Sequence, residues 1–185
     1  MKFWKRRKQS QVYISEGDIA VREFREEDIA LKVEWINDPH NNQYLHYDLP
    51  LEYPKTLDWF HGRNTEKRVD CTIEYQGVPV GLIGLLNIDR SNRKVELYIT
   101  LGCHEYKQRG IATTASRLML AYAFDVLDMN KVYLNVDADN RAACRLYEKI
   151  GMVCEGVFAE DLWHRGRFID RKRYAILRSA YFGLS

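Results

Sequence analysis

Apolar and polar positions alternate with two different periods along this chain, and the change of period marks its elements. Ile19-Ala-Val-Arg-Glu-Phe24 reads as a strand after a Gly17-Asp18 turn. Glu26, Glu27 and Asp28 then open a helix carrying Leu31, Val33, Trp35 and Ile36, because acids suit the positive N-terminal end of a helix. Pro39 ends it. Residues 38–53 read as a loop, and a second helix is predicted over about 55–67 with Leu57, Trp59 and Phe60 inward. Val69, Cys71, Ile73 and Tyr75 then recur with period 2, the signature of a half-buried strand. Turns at Gln76-Gly77 and 89–93 separate two more strands, Val80–Ile88 and Val95–Leu101, so three antiparallel strands occupy the middle of the chain.

Helical spacing returns at Ile111, Ala115, Leu118, Met119 and Tyr122, up to about Leu127. Val132–Val136 is a strand. Ala143, Leu146, Tyr147 and Ile150 fall on one face of a short helix, with Asn140 where an N-cap belongs and Gly151 just past its end. Two final strands start near Met152 and span Phe168–Leu177, with a hairpin turn near His164-Arg-Gly166. The predicted order β-α-α-β-β-β-α-β-α-β-β implies an α/β fold: a mixed, mostly antiparallel sheet with helices on both faces.

Composition narrows this picture. A length of 185 residues suits one domain; we expect a basic tail over 1–11 and a single domain over 12–185. No apolar run approaches the roughly 18–20 residues of a membrane span, so no membrane partner is expected. The net charge of +2 hides a polar distribution. Residues 1–10 carry +5 and residues 165–185 another +5, whereas residues 11–164 hold 17 basic and 25 acidic side chains, net −8. An acidic body disfavours nucleic-acid binding, which normally needs a basic face. Binding of RNA by the basic ends is a separate reading, marked by a steep salt dependence. The basic N-terminus has no apolar stretch behind it and is not a secretory signal. Cys71, Cys103, Cys144 and Cys154 are scattered without a CxxC pair, which points to reduced thiols in the cytoplasm and to no metal site.

The chemistry concentrates in Lys107-Gln108-Arg109-Gly110-Ile111-Ala112, between a strand and a helix. A helix N-terminus presents unpaired N–H groups and a partial positive charge, which together bind phosphate. Gly110 allows close approach to the backbone, Lys107 and Arg109 add charge, and Ala112 keeps the first turn open. About 30 residues downstream comes Asn140-Arg-Ala-Ala-Cys-Arg-Leu-Tyr-Glu-Lys-Ile-Gly-Met152.

Together these segments resemble the GNAT family of acetyl-CoA-dependent N-acyltransferases. Its cofactor motif runs Gln/Arg-x-x-Gly-x-Gly/Ala, followed by Asn-x-x-Ala-x-x-Leu-Tyr-x-Lys-x-Gly-Phe. Gly110 and Ala112 match the first; Asn140, Ala143, Leu146, Tyr147, Lys149 and Gly151 match the second, with Met152 for Phe. Lys107 stands where Gln or Arg is usual. Glu105-Tyr106, Ala123–Leu127, Lys131–Leu134 and Glu155–Val157 are most similar to spermidine acetyltransferases and ribosomal-protein N-terminal acetyltransferases of the Rim type.

The resemblance implies the GNAT fold and an acetyl-CoA co-substrate, without a metal. It implies that the amides of 107–112 cradle the pyrophosphate, that Ile99, Thr100 and Leu101 hydrogen-bond the pantetheine arm, and that Asn140 contacts the CoA chain. Tyr147 is then the general acid for the leaving thiolate, and Glu96 a base acting through water, with an amine attacking the thioester directly. The acceptor would enter between the first two helices and the last hairpin. Trp35, Tyr47, Asp48 and Glu52, among other acids and aromatics of 34–60, suit a cationic amine such as a polyamine. A protein N-terminus, or an amino-sugar nucleotide met by Arg165 and Arg167, are the alternatives within the enzyme class; a non-catalytic acyl-CoA-binding module is the alternative outside it. A homodimer or higher homo-oligomer is expected.

Overall fold

The computed structural model describes residues 13–183; the basic tail expected over 1–11 lies outside them. Eight strands form one sheet: β1 (Tyr13–Glu16), β2 (Ile19–Glu23), β3 (Val69–Tyr75), β4 (Val78–Asp89), β5 (Lys94–Leu101), β6 (Lys131–Asp137), β7 (Val153–His164) and β8 (Arg167–Leu177). Their spatial order is β1-β2-β3-β4-β5-β6-β8-β7. Every neighbouring pair is antiparallel except β5 and β6. The helices are α1 (Ile29–Asn37), α2 (Tyr53–Gly62), α3 (Ile111–Ala121), α4 (Arg141–Lys149) and α5 (Arg178–Gly183).

The predicted elements are present, with three differences. β1 and α5 were not expected; Tyr13 to Glu16 is too short to show a period, and gains its form by pairing with Arg22 to Ile19. α2 stops at Gly62 instead of running to Lys67, because Gly62, Asn64 and Thr65 have weak helical preference and Arg63 is extended. The helix expected to reach Leu127 does so through a π-turn over Tyr122–Val126.

Alternation along β5 divides the interior in two. Val95 and Leu97 point to the larger core, with Ile111, Ala115 and Met119 of α3 and Tyr147 and Ile150 of α4. On the other face a smaller core forms under α1 and α2 around Phe24, Ile29, Trp35 and Leu82, with Tyr98 packed against it. The start of α1 is pinned by a buried ion pair: Arg22 donates to both oxygens of Asp28 (2.7 and 2.8 Å), which also accepts from Thr72 Oγ1 and the Arg25 amide. Burial alone would raise the Asp28 carboxyl; these donors outweigh it and hold its pKa below the ordinary value.

The parallel pair carries the main architectural consequence. β5 and β6 are in register only at Lys94–Lys131, Val95–Val132 and Glu96–Tyr133. Beyond Glu96 they separate: β5 follows β4 to Leu101, while β6 follows β8 to Asp137. The sheet therefore splits, and the edge of β5 over Leu97–Leu101 is left without a strand partner toward β6.

Candidate active site

Unpaired strand groups at the centre of a sheet need another partner. The split exposes such groups on β5 between two layers, and an extended chain could pair with them as an added strand. Ile99, Thr100 and Leu101 are half-buried along this edge, their other side paired with Ile83, Leu82 and Gly81 of β4.

β5 leads directly into the turn before α3. Gln108 (φ 65°) and Gly110 (φ 78°) both take left-handed backbone conformations. Gly110 is the N-cap of α3, with the first helical bond running from the Thr114 amide to its carbonyl at 3.0 Å. No atom lies within 4 Å of where a Cβ would stand on Gly110, so the space over the turn is open. The free amides of a helix start and this open turn fit a pyrophosphate. Ile111 does not reach outward; its side chain is in the core and only its amide faces the turn. Lys107 and Arg109 are partly engaged elsewhere: Lys107 Nζ donates to Asn41 Oδ1 at 3.0 Å, and Arg109 lies 5.5 Å from the centre of the Tyr106 ring.

On the β6 arm, Asn140 Oδ1 accepts from the Ala143 amide at 3.1 Å and so caps α4. Its side-chain NH2 is left for another acceptor. Tyr147, two turns on from Asn140, is buried against Tyr174, 5.9 Å between ring centres. Burial pushes its phenol pKa up, so the hydroxyl holds its proton at neutral pH. Glu96 sits at the apex of the split: Asn87 Nδ2 donates to one oxygen at 2.7 Å and Asn135 Nδ2 to the other at 3.2 Å. Asn87 owes this position to a break in the β4 register before Asp89, where its φ is 52°.

A cavity of about 210 Å³ lies on the opposite face, under α1 and α2 and against Tyr98, Ile99 and Thr100. Here the structure departs from the sequence-based expectation. Of the four residues predicted to bind the acceptor, only Tyr47 lines this cavity. Trp35 is 4% exposed and packs in the core, its ring against Gly102 so closely that a Cβ there would collide with it. Asp48 and Glu52 are exposed, and Glu52 is paired with Lys55 at 2.5 Å. Glu34 and Asp38 line a different hollow, beside Gly102–Glu105.

The charges in the cavity belong to none of the sequence motifs: Lys32, Arg68 and Asp70. Arg68 grips Asp70 through Nε and Nη2, both at 2.7 Å, and Tyr98 donates to Asp70 Oδ1 at 2.9 Å. One signal was present in the sequence: Lys32 falls at i+3 between Ile29 and Ile36, within the buried stripe of α1. A second missed group ties the arms of the split together. His46, from the α1–α2 loop, donates through Nε2 to buried Asp137 at the end of β6 (3.1 Å) and lies edge-on to His164. Asn41 Nδ2 donates to the Gly102 carbonyl beyond β5 (2.6 Å), and Arg165 donates to Asn42 (3.0 Å). No alternation or spacing links residues 46, 137 and 164.

A family model described as an acetyltransferase (GNAT) domain matches residues 18–153, most of the chain. The chain belongs to the GNAT family. It is 37% identical over 154 residues to the spermidine N(1)-acetyltransferase of Vibrio cholerae, covering 81% of this chain and 88% of that protein. Among solved structures, spermidine N-acetyltransferase from Vibrio cholerae in complex with CoA and spermine superposes with a TM-score of 0.81 at 27% identity, over 89% of this chain and 98% of the other. A dodecameric structure of that enzyme gives 0.78 at 26%, over 91% and 98%. The GNAT fold expected from the motifs is thus the fold observed, and the protein is an acetyl-CoA-dependent amine N-acetyltransferase. No helix among the described residues is long and apolar enough to cross a membrane, and no group of three His, Cys, Asp or Glu among them could hold a metal ion.

Proposed function

We propose that this protein transfers the acetyl group of acetyl-CoA to the primary amine of a small molecule. The observation that carries the reading is the split strand pair, with an open turn suited to phosphate at the far end of β5 and a cavity open to solvent on its other face. A cavity of about 210 Å³ accommodates a small amine, the class to which the spermine in the Vibrio structure belongs, better than a folded protein N-terminus.

The residues have defined tasks in this reading. Amides of Lys107, Gln108, Arg109, Gly110, Ile111 and Ala112 receive the pyrophosphate, and the free edge at Ile99, Thr100 and Leu101 holds the pantetheine arm. The NH2 group of Asn140 adds a contact. Glu96, fixed by Asn87 and Asn135, draws the proton from the amine through water. The neutral nitrogen then forms its bond to the acetyl carbon while the carbon–sulfur bond breaks, and Tyr147 returns a proton to the thiolate. Direct attack needs no enzyme nucleophile, and the cysteines are poorly suited to be one: burial pushes the Cys71 and Cys103 thiols above their ordinary pKa. Four free thiols suit the reducing cytoplasm we propose as its location. We also propose a homo-oligomer, as in the dodecameric neighbour, to be checked by light scattering.

The test is thiol release from acetyl-CoA with spermidine, diamines, amino sugars and basic peptides as acceptors. Turnover with a small amine and a rise in melting temperature with acetyl-CoA are expected. No thermal shift with acetyl-CoA would refute the reading, and preference for peptides would move it to protein N-terminal acetylation.

A further inference from the structure

The acceptor cavity contains more buried positive charge than its one carboxylate neutralises. Lys32 is 8% exposed, and its ammonium makes no ion pair with a described carboxylate; it rests 3.4 Å from the centre of the Trp59 ring. Arg68 lies on the same indole at 4.8 Å. Arg63, its side chain 12% exposed, stands behind them, 3.7 Å from Asp70. Asp70 is fully used: Arg68 takes both oxygens and Tyr98 one of them. Glu23, the other acid acting on Arg63, is exposed on the sheet. Three cations thus face one committed carboxylate.

Withdrawing an uncompensated cation from water costs several kcal/mol in effect, and a cation–π contact recovers only about 0.5–2 kcal/mol of it. Such a group persists where its missing partner arrives with a ligand. Burial correspondingly pushes the Lys32 pKa down to about 8.

We infer that the acceptor amine carries an oxyanion group, a carboxylate or phosphate, which Lys32 and Arg68 receive in this cavity. The cavity then holds both ends of the acceptor: its anion against Lys32 and Arg68, its amine toward Ile99 and Thr100 on β5. Trp59, Phe24 and Tyr47 cover the carbon skeleton between them. This subdivides the small amines of the proposed function and sets the protein apart from an enzyme for polycations, since a polyamine would add positive charge where it is already in excess. It rests on the acetyltransferase reading.

The experiment compares matched acceptors that differ only in the anion: lysine against cadaverine, O-phosphoethanolamine against ethanolamine, and glucosamine 6-phosphate against glucosamine, with spermidine alongside. We expect the anionic member of at least one pair to show a kcat/KM at least tenfold higher than its partner and higher than spermidine. Lys32→Met should reduce that advantage to within threefold and Lys32→Arg should keep most of it, with acetyl-CoA affinity by calorimetry unchanged in both. Preference for the member without the anion or for spermidine, an advantage that survives Lys32→Met, or acetyl-CoA binding with turnover of none of these amines would each overturn the inference. Failure to bind acetyl-CoA would instead sink the acetyltransferase reading, and the inference with it.

Discussion

The two faces of β5 are built from different materials. On the proposed cofactor side the parts are main chain: the unpaired edge over Leu97–Leu101 and the amides of the turn at Gly110. On the acceptor side they are side chains brought from α1, the α1–α2 loop, α2 and β3 onto one cavity. Main-chain groups come with any residue, so the cofactor side depends on conformation, and a few residues that permit the conformation suffice. The acceptor side depends on which charges and rings arrive together. One strand can therefore keep a constant cofactor grip while its other face is refitted to a new amine.

Four measurements bear on this contrast, taken from the largest expected effect down. Tyr147, buried in the larger core on α4, is the proposed acid. Tyr147→Phe should lower kcat by about 10²–10⁴-fold, the usual worth of a positioned acid, with acetyl-CoA affinity kept within about twofold. An equal loss of binding would make it a packing residue.

Gly110→Val tests the main-chain side. A branched residue forced to φ 78° costs about 1–2 kcal/mol, so acetyl-CoA affinity should fall about tenfold. Removing the Lys107 or Arg109 side chains, each engaged elsewhere, should change it less than threefold. A larger loss from Lys107→Ala than from Gly110→Val would break the distinction between main-chain and side-chain sites.

Lys32→Met sharpens the side-chain half through stability. The folded pKa of Lys32 is about 8 against an ordinary 10.5. Between these values the unfolded chain binds more protons, so its contribution to stability grows as pH rises through that window and is lost as pH falls through about 8. At pH 7 the penalty is fully present. Lys32→Met should therefore raise the melting temperature at pH 7 by a few degrees and flatten its rise between pH 8 and 10, while damaging use of the acceptor. A lower melting temperature would show that the ammonium is stabilised where it lies.

The smallest effect is expected from Asn140→Ala. Losing the cap bond to Ala143 costs about 1 kcal/mol, or about 2–4 °C for a chain of this size. A cofactor affinity that falls as well would show that the capping residue also holds the CoA chain.

The unequal legibility of the two faces follows from how each is encoded. Gly110 and Asn140 act within three or four residues of themselves, one through its own φ and one through the Ala143 amide, so local spacing reveals them. The acceptor residues act across the chain. Trp35 and Glu52 were drawn to the cavity by type and proximity in sequence, yet Trp35 is spent on Gly102 and Glu52 on Lys55. In the sequence Lys32, Arg68 and Asp70 look like solvated positions, a lone lysine in a helix and two charges at the start of a strand; only the fold sets Lys32 on the Trp59 ring and Asp70 under the Tyr98 hydroxyl.

The sequence by itself determined the order of the elements between β2 and β8, the α/β class, the glycine turn before α3 and the capped helix that carries Tyr147, because hydrophobic period, glycine conformation and capping are short-range physics. Only the tertiary structure decided where β5 leaves β6, that Asn87 and Asn135 fix Glu96 at that point, that His46 and Asp137 span the gap, and that the acceptor cavity is basic inside an acidic body. Those features depend on which side chains are withdrawn from water together. Charge counted along a chain cannot show that, because the energy of a charge depends on its burial and its neighbours.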